Sequence, residues 1–337
     1  MAADNPQDET GLTVAVTGPT GTFGFGLLPL LEADDRVARV VGVARRPFDP
    51  RQHGWTKMEY HQGDVRDEQA LKEAFAGADV VVHLAFLIVG ARKEVTRSIN
   101  VAGTLNVFRA AAAAGARRFV YSSSVAAYGF HRDNPVGMTE DWPVRPAERL
   151  FYAQEKAEIE QLLEKENAEQ QLPTYLLRPS IVVGPHTIGG KVDLPGPLEP
   201  LAHALGGVLQ RLPFPVPAPV PDIPMQLVHE DDVGQALLQC VLGAGPPGAY
   251  NIAADDLVSS VDVARELGVV PLSLPEGPSR AAARLLSRLP VPMPAAMTWV
   301  EAAGQPAIMD TAHARAELGW EPRYTALEAL RDALATR

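Results

Sequence analysis

Tyr152 and Lys156 stand four residues apart in Tyr152-Ala153-Gln154-Glu155-Lys156, a spacing that puts both side chains on one face of a helix. The chemistry open to such a pair is proton transfer at an oxygen. A free tyrosine titrates near 10, so only about 0.1% is phenolate at pH 7. A neighbouring cation favours the ionised form. Bringing the hydroxyl to a pKa of about 7 takes roughly 4 kcal/mol of differential stabilisation, which a closely held, partly buried charge can supply. Ser124 closes the run Tyr121-Ser122-Ser123-Ser124 and offers a second hydroxyl to fix a substrate oxygen. Taken alone, a Tyr/Lys pair at this spacing is more often a solvated helix face than a site. Its surroundings decide the matter.

The first of those surroundings is Thr17-Gly18-Pro19-Thr20-Gly21-Thr22-Phe23-Gly24. Gly18 allows a tight turn, Gly21 lets the backbone approach a pyrophosphate, and Gly24 lets helix pack on strand. The loop opens a helix, whose free amides and dipole favour phosphate, so Thr20, Thr22 and Phe23 join the glycines as expected cofactor contacts. The second apolar run ends Val43-Ala44-Arg45-Arg46. Folds that bind NAD usually place there an acid that accepts from the ribose 2′-hydroxyl. Ala44 stands in its place, and Arg45 and Arg46 can pair bidentately with a 2′-phosphate. NADP is the cofactor expected, with NAD the alternative.

These residues need a scaffold, and the chain spells one. Short β-branched runs over 12–17, 37–44, 57–61, 80–84, 119–122 and 174–178 alternate with helical patterns over 23–33, 68–75, 96–114 and 148–170. Near-continuous apolar strands separated by helices imply a parallel sheet covered on both faces. The fold class expected is α/β, a Rossmann-type doubly wound parallel sheet with a smaller mixed C-terminal substrate lobe. Residues 11–185 form the NAD(P)-binding core carrying the Ser/Tyr/Lys site, and residues 186–337 form mainly the substrate lobe, with some segments returning to the core. Beyond 185 the texture changes. Prolines at 213, 215, 217, 219 and 221 alternate, which predicts an extended, polyproline-like stretch and not a central strand. A second Pro-rich piece covers 289–294, and helices are expected over 231–242, 260–267, 280–286, 311–318 and 326–334. Asp231 or Asp232 is the expected cap of the first of these.

The glycine spacing resembles the extended short-chain dehydrogenase/reductase family, of the epimerase/dehydratase-like kind. Gly63-Asp64-Val65 looks like that family's adenine-contacting step, and Val82-His83-Leu84-Ala85 its fourth-strand segment beside the cofactor. Asn100-Val101-Ala102-Gly103-Thr104 is similar to a helix motif whose Asn supports the active-site backbone. Tyr121 to Gly129 resembles the fifth-strand motif, Tyr152 to Lys156 the YxxxK motif, and Arg178-Pro179 with Gly184-Pro185 the segment next to the nicotinamide. Val228-His229-Glu230-Asp231-Asp232-Val233 fits a later stretch, and the likeness runs over about 12–255. It implies Ser124, Tyr152, Lys156 and Asn100 as catalytic residues. It also implies Asp64, Val65, Leu84, Ala85 and Pro179 as further cofactor contacts. His83 is expected to be a hydrogen-bonded core histidine.

Departures from the family bear on the reaction. Sugar dehydratases carry an acidic pair beside the catalytic hydroxyl, where this chain has Ser123-Ser124-Val125. Nucleotide-sugar epimerases tend to place an Arg shortly before the Val-His stretch, where residues 222–229 hold no Lys or Arg. A diphosphate needs cationic or N–H donors. The expected activity is therefore hydride transfer between nicotinamide and a carbonyl or secondary alcohol on a largely apolar small molecule. A nucleotide-sugar epimerase is the alternative, and a non-catalytic dinucleotide sensor a third. A net charge of −11 over 337 residues argues against nucleic acid or an anionic membrane surface as partner. Eight scattered histidines and the single Cys240 give no metal-ligand spacing and no internal disulfide, so no metal is expected and a cytoplasmic setting is. Residues 1–10 read as a polar leader without a signal-peptide core. A homodimer is the family's habit.

Overall fold

The computed structural model describes residues 11–88, 93–187, 217–268, 270–275, 277–278 and 307–335. In chain order, β1 (Leu12–Thr17), α1 (Thr22–Ala33), β2 (Val37–Ala44), β3 (Met58–Gln62), α2 (Glu68–Ala74) and β4 (Val80–His83) make the first half of the core. Then follow α3 (Lys93–Arg97), α4 (Gly103–Ala113), β5 (Arg118–Ser122), α5 (Phe151–Gln170), β6 (Thr174–Pro179) and β7 (Ile181–Val183). After the proline-rich stretch come β8 (Pro217–Pro221), β9 (Pro224–Met225), β10 (Leu227–His229), α6 (Glu230–Leu242) and β11 (Gly248–Ile252). The chain goes on through β12 (Val258–Ser259), α7 (Ser260–Glu266), β13 (Val270–Leu274), α8 (Ala312–Leu318) and α9 (Ala326–Ala335).

The main sheet has seven strands in the order β11-β6-β5-β4-β1-β2-β3, all parallel. The chain works outward from β1 to β3 and then crosses to β4, so strand order reverses between β1 and β4. Ligands of such sheets bind in the crevice beyond the carboxyl ends at this reversal. Alternation along the strands sorts the core into two layers. Val14, Val16, Val80, Val82 and Val120 pack with Leu27, Leu31 and Leu237 of α1 and α6. Ala15, Val81, Phe119 and Tyr121 pack with Phe108 of α4 and Ile159 of α5 on the other face. A smaller cluster joins Val183, Leu227 and Val258 to Ala326 and Leu330 of α9.

Several elements differ from expectation, each for a local reason. β11 was not foreseen, because Gly-Ala-Tyr-Asn-Ile lacks an apolar run; its pairing with β6 brings residues 248–252 back to the core sheet. The helix expected from 96 starts at Lys93 and is interrupted by a π-helical turn over Ser98–Ala102. α5 starts at Phe151, three residues late. Pro217–Pro221 is a true strand, paired in parallel with β13, but it lies in a separate two-stranded ribbon. Residues 212–216, 280–286 and 289–294 fall outside the described residues. Neither Asp231 nor Asp232 caps α6. His229 does, its Nδ1 accepting from Asp231 N at 3.1 Å, while the Asp232 carboxylate is drawn away to the backbone amides of Arg323 and Tyr324. Cys240 is buried in the core, and burial pushes its thiol pKa up, which makes it an inert packing residue.

α1 and α6 approach so closely that side chains do not fit between them. A Cβ at Gly26 would lie 2.4 Å from the Glu230 carbonyl oxygen, and one at Gly234 2.1 Å from the Gly26 oxygen. Forcing a methyl into such a contact costs about 1–3 kcal/mol. Gly234→Ala should lower the stability read from urea melts by that amount, and an unchanged midpoint would show that the helices are not held this close.

His83 ends β4, fully buried, with Nδ1 2.5 Å from Thr17 Oγ1 and Nε2 2.9 Å from Thr104 Oγ1. Burial, and the Lys156 charge after it, lower its pKa to about 3, so it is the neutral core histidine the sequence suggests. An unfolded histidine titrates near 6.5. Below that pH the unfolded chain takes a proton that the folded chain refuses, so stability falls on acidification. Between pH 7.5 and 5 the loss from this residue is about 2 kcal/mol. Urea melts at the two pH values should show a correspondingly smaller acid loss in His83→Gln than in the wild type.

Candidate active site

β5 runs out at Ser122, and the chain turns at once into a 3-10 helix over Val125–Tyr128 whose N-cap is Ser124. The Ser124 hydroxyl caps that turn by accepting from Ala126 N at 3.2 Å, and it also hydrogen-bonds the Tyr152 hydroxyl. Tyr152 sits in the first turn of α5, with its ring edge-to-face on Phe86 at 5.4 Å and 86°. Phe130 packs with it on a small cluster of Ala126, Ala147, Leu150 and Ala153. One turn further along α5, Lys156 is buried and donates to Ser122 O at 2.7 Å and to the Tyr121 hydroxyl at 3.2 Å. Ser124, Tyr152 and Lys156 thus meet at the carboxyl end of the sheet.

Their electrostatics depart from the sequence expectation. Burial raises the Tyr152 pKa, and the Ser124 hydrogen bond only partly opposes it. Lys156 does not lower it, because the amine is itself desolvated: burial takes its pKa down to about 7 against the pull of Glu160 and Glu155. The chain's own groups therefore keep the phenol protonated.

Asn100 lies in the π-helical turn and is fully buried. Its Oδ1 accepts from Leu87 N at 2.8 Å, and its Nδ2 donates to Leu87 O at 2.9 Å and to Glu155 Oε2 at 2.7 Å. It thereby pins the segment after β4 to the helix that carries the Tyr/Lys pair. Several neighbours went unsingled in the sequence. Ser123 donates to Glu160, which also holds Arg178 at 2.6 Å; Arg178 donates to the Tyr128 hydroxyl at 2.7 Å, and that hydroxyl donates to Asn251 Oδ1 at 2.8 Å. All five residues are buried. The positions of Ser123, Tyr128, Glu160 and Arg178 in or near recognised motifs were the signal for this network, and Asn251 had none.

The cofactor loop lies across the strand-order reversal. Gly18 has φ +73°, and a Cβ there would sit 2.7 Å from Ala85 N, which brings the loop after β1 against the one after β4. At Gly24 a Cβ would come 2.0 Å from Pro19 O, so the loop folds directly onto the helix. Gly21 is the N-cap of α1, with no side-chain cap and no acidic residue in the first turn. The amides there are left for an anion. Thr22 instead donates to His186 O at 3.2 Å. Val65 and Leu84 are buried, and Ser180 Oγ, beside Pro179, is buried without a partner. Asp64 is bound to its own turn through Arg66 N at 2.9 Å and the Arg66 guanidinium at 2.7 Å. Arg45 and Arg46 are exposed at the end of β2 and, among the described residues, form no ion pair. A bare helix N-terminus, an orphaned buried hydroxyl and two free guanidinium groups fit a dinucleotide. Among the described residues no group of three or more His, Cys, Asp or Glu is placed to hold a metal, and no helix is long and apolar enough to cross a membrane.

The chain is similar to sterol demethylase protein B of Methylococcus capsulatus, at 34% identity over 181 residues, 52% of this chain and 52% of that protein. It is 30% identical over 188 residues to the N-acetyl-alpha-D-glucosaminyl-diphospho-ditrans,octacis-undecaprenol 4-epimerase of Escherichia coli O157:H7, covering 54% of this chain and 52% of that protein. These two matches span about half of each relative. Among solved structures, gox2253 superposes with a TM-score of 0.72 at 26% identity, covering 97% of this chain and 98% of that one. The NAD dependent epimerase/dehydratase family matches residues 14–253. The chain belongs to that family of NAD-dependent enzymes.

Proposed function

We propose that this protein is an NADP-preferring oxidoreductase acting at a carbonyl or secondary alcohol on a largely apolar small molecule, with Ser124, Tyr152 and Lys156 as its catalytic residues. The observation that carries the reading is the setting of Tyr152: its hydroxyl is bonded to Ser124, its ring stands edge-on to Phe86, and it packs with Phe130 on one apolar cluster. The likeness to sterol demethylase protein B supports an apolar substrate. A bound nicotinamide supplies or accepts the hydride. Gly18, Gly21 and the first amides of α1 hold the pyrophosphate, Arg45 and Arg46 a 2′-phosphate, and Ser180 Oγ beside Pro179 offers a hydroxyl to the nicotinamide end. Tyr152, kept protonated by burial, hands its proton to a carbonyl oxygen in reduction, and Ser124 holds that oxygen at a fixed angle. Lys156 contributes its positive charge from behind, and Asn100 positions the segment after β4. Residues 186–337 supply most of the substrate lobe. A cytoplasmic homodimer is the state in which we expect the protein to work.

The likeness to the undecaprenol-linked 4-epimerase favours a second reading, an epimerase that oxidises and re-reduces one substrate. Denaturing the purified protein separates the two. Stoichiometric NAD released on unfolding supports the epimerase, which regenerates its cofactor each turnover; NADPH exchanged freely and bound more tightly than NADH supports the oxidoreductase. A sensor has no need of the Ser124–Tyr152 pair.

Tyr152→Phe should cut turnover by about 10²–10⁴ while dinucleotide affinity holds; turnover at the wild-type rate would remove Tyr152 from the mechanism. Replacing both Arg45 and Arg46 by Ala should weaken NADPH binding about 10²- to 10⁴-fold and leave NADH nearly unchanged, since each of the two charged hydrogen bonds lost is worth about 1.5–3 kcal/mol. Turnover that needs the Lys156 ammonium should fall as pH rises through its pKa of about 7. A rate that climbs through this range instead would mean the neutral amine is the working form.

A further inference from the structure

Lys156 Nζ carries three hydrogens, and two have oxygen acceptors in Ser122 O and the Tyr121 hydroxyl. An aromatic ring faces the ammonium as well: the Phe86 centroid lies 3.9 Å from Nζ, and the Tyr121 ring lies 4.8 Å away. Among the described residues no carboxylate forms an ion pair with this amine, although it is fully buried. Glu160 and Glu155 favour the charged form from a distance, and neither carboxylate is in contact with the amine. On its own helix, Glu155 is bonded to Asn100, Glu160 to Arg178 and Ser123, and Tyr152 to Ser124. Tyr121 on β5 and His83 on β4 are kept neutral by burial. The closest ring in direct contact with the charge is the face of Phe86.

The Phe86 ring is held in place. Asn100 bonds both backbone groups of Leu87, the next residue, and the edge-on contact with Tyr152 fixes the other side. We propose that Phe86, with the Tyr121 ring, is a positioning residue that stabilises the Lys156 ammonium in place of a carboxylate while orienting Tyr152. The chemical advantage is specific. A carboxylate would stabilise the ammonium by cancelling its charge, whereas the quadrupole of a ring stabilises it and leaves the full positive charge to act on neighbouring groups. The consequence for proton transfer rests on the reading of Tyr152 and Lys156 given above; the state of the amine does not.

The test reads the amine directly. Full-length protein labelled with ¹³Cε-lysine is titrated by NMR, and the Lys156 signal is assigned by its loss in Lys156→Arg. Phe86→Leu should lower the Lys156 midpoint by about half a unit to one unit, and Phe86→Tyr should leave it at the wild-type value. Because a leucine could also loosen the packing, phenylalanines with increasing ring fluorination are placed at 86; shape is kept, and the midpoint should fall stepwise. A midpoint indifferent to fluorination, or equal shifts for Leu and Tyr, overturns the inference. If the midpoint responds but no carbonyl or alcohol is turned over, the role of Phe86 stands and the oxidoreductase reading falls. If turnover is found while the midpoint ignores the ring, the oxidoreductase reading stands and the role of Phe86 falls.

Discussion

A buried ammonium ion without a carboxylate beside it constrains everything at the carboxyl end of the central sheet. Taking a charge out of water is expensive, and the usual remedy in proteins is a close counter-ion. Here Lys156 is instead set against the carbonyl of Ser122, the hydroxyl of Tyr121 and the face of Phe86. The parallel sheet makes the first of these possible, because β5 ends at Ser122 directly beneath α5. The π-helical turn around Asn100 makes the third possible, by fixing the backbone next to Phe86.

The two carboxylates nearest in sequence show how the arrangement is kept. Glu155 precedes Lys156 and Glu160 follows it by one turn, so either could collapse onto the amine. Asn100 takes Glu155. Arg178 and Ser123 take Glu160. The buried Arg178–Glu160 pair holds that carboxylate out of contact with the amine, while its charge still favours the ammonium. It also ties Ser123 to the helix, which fixes the backbone leading into Ser124.

The fold was legible in the sequence because its strongest cues are local. β1, β2 and the glycine loop carry apolar runs and turn glycines whose meaning does not depend on distant contacts. β11 was not legible, since Tyr250 and Asn251 become strand residues only by pairing with β6. The His229 cap was missed for a related reason: Asp232 looks like the better cap until Arg323 and Tyr324, some ninety residues on, claim its carboxylate. At the site, residue types and spacing marked Ser124, Tyr152 and Lys156, and the structure brings them together. Their protonation was not readable. The sequence suggested a cation lowering the Tyr152 pKa, but burial of both groups raises it and depresses the lysine instead. Phe86 carries no motif value at all and becomes visible only as a ring at 3.9 Å.

Asn251 reaches further than its place on an edge strand suggests. It accepts from Tyr128, donates to Met138 O and Asp310 O, and takes the Glu140 carboxylate on its amide. Through Tyr128 and Arg178 it closes the chain of bonds that ends on Ser123. Synthesis runs from the N-terminus, so residue 251 emerges well after β6. Of that buried chain of bonds, Ser123, Tyr128, Glu160 and Arg178 therefore all leave the ribosome before the residue that closes it. A chain cut short of β11 would lack that closing bond to Tyr128, however complete its glycine loop.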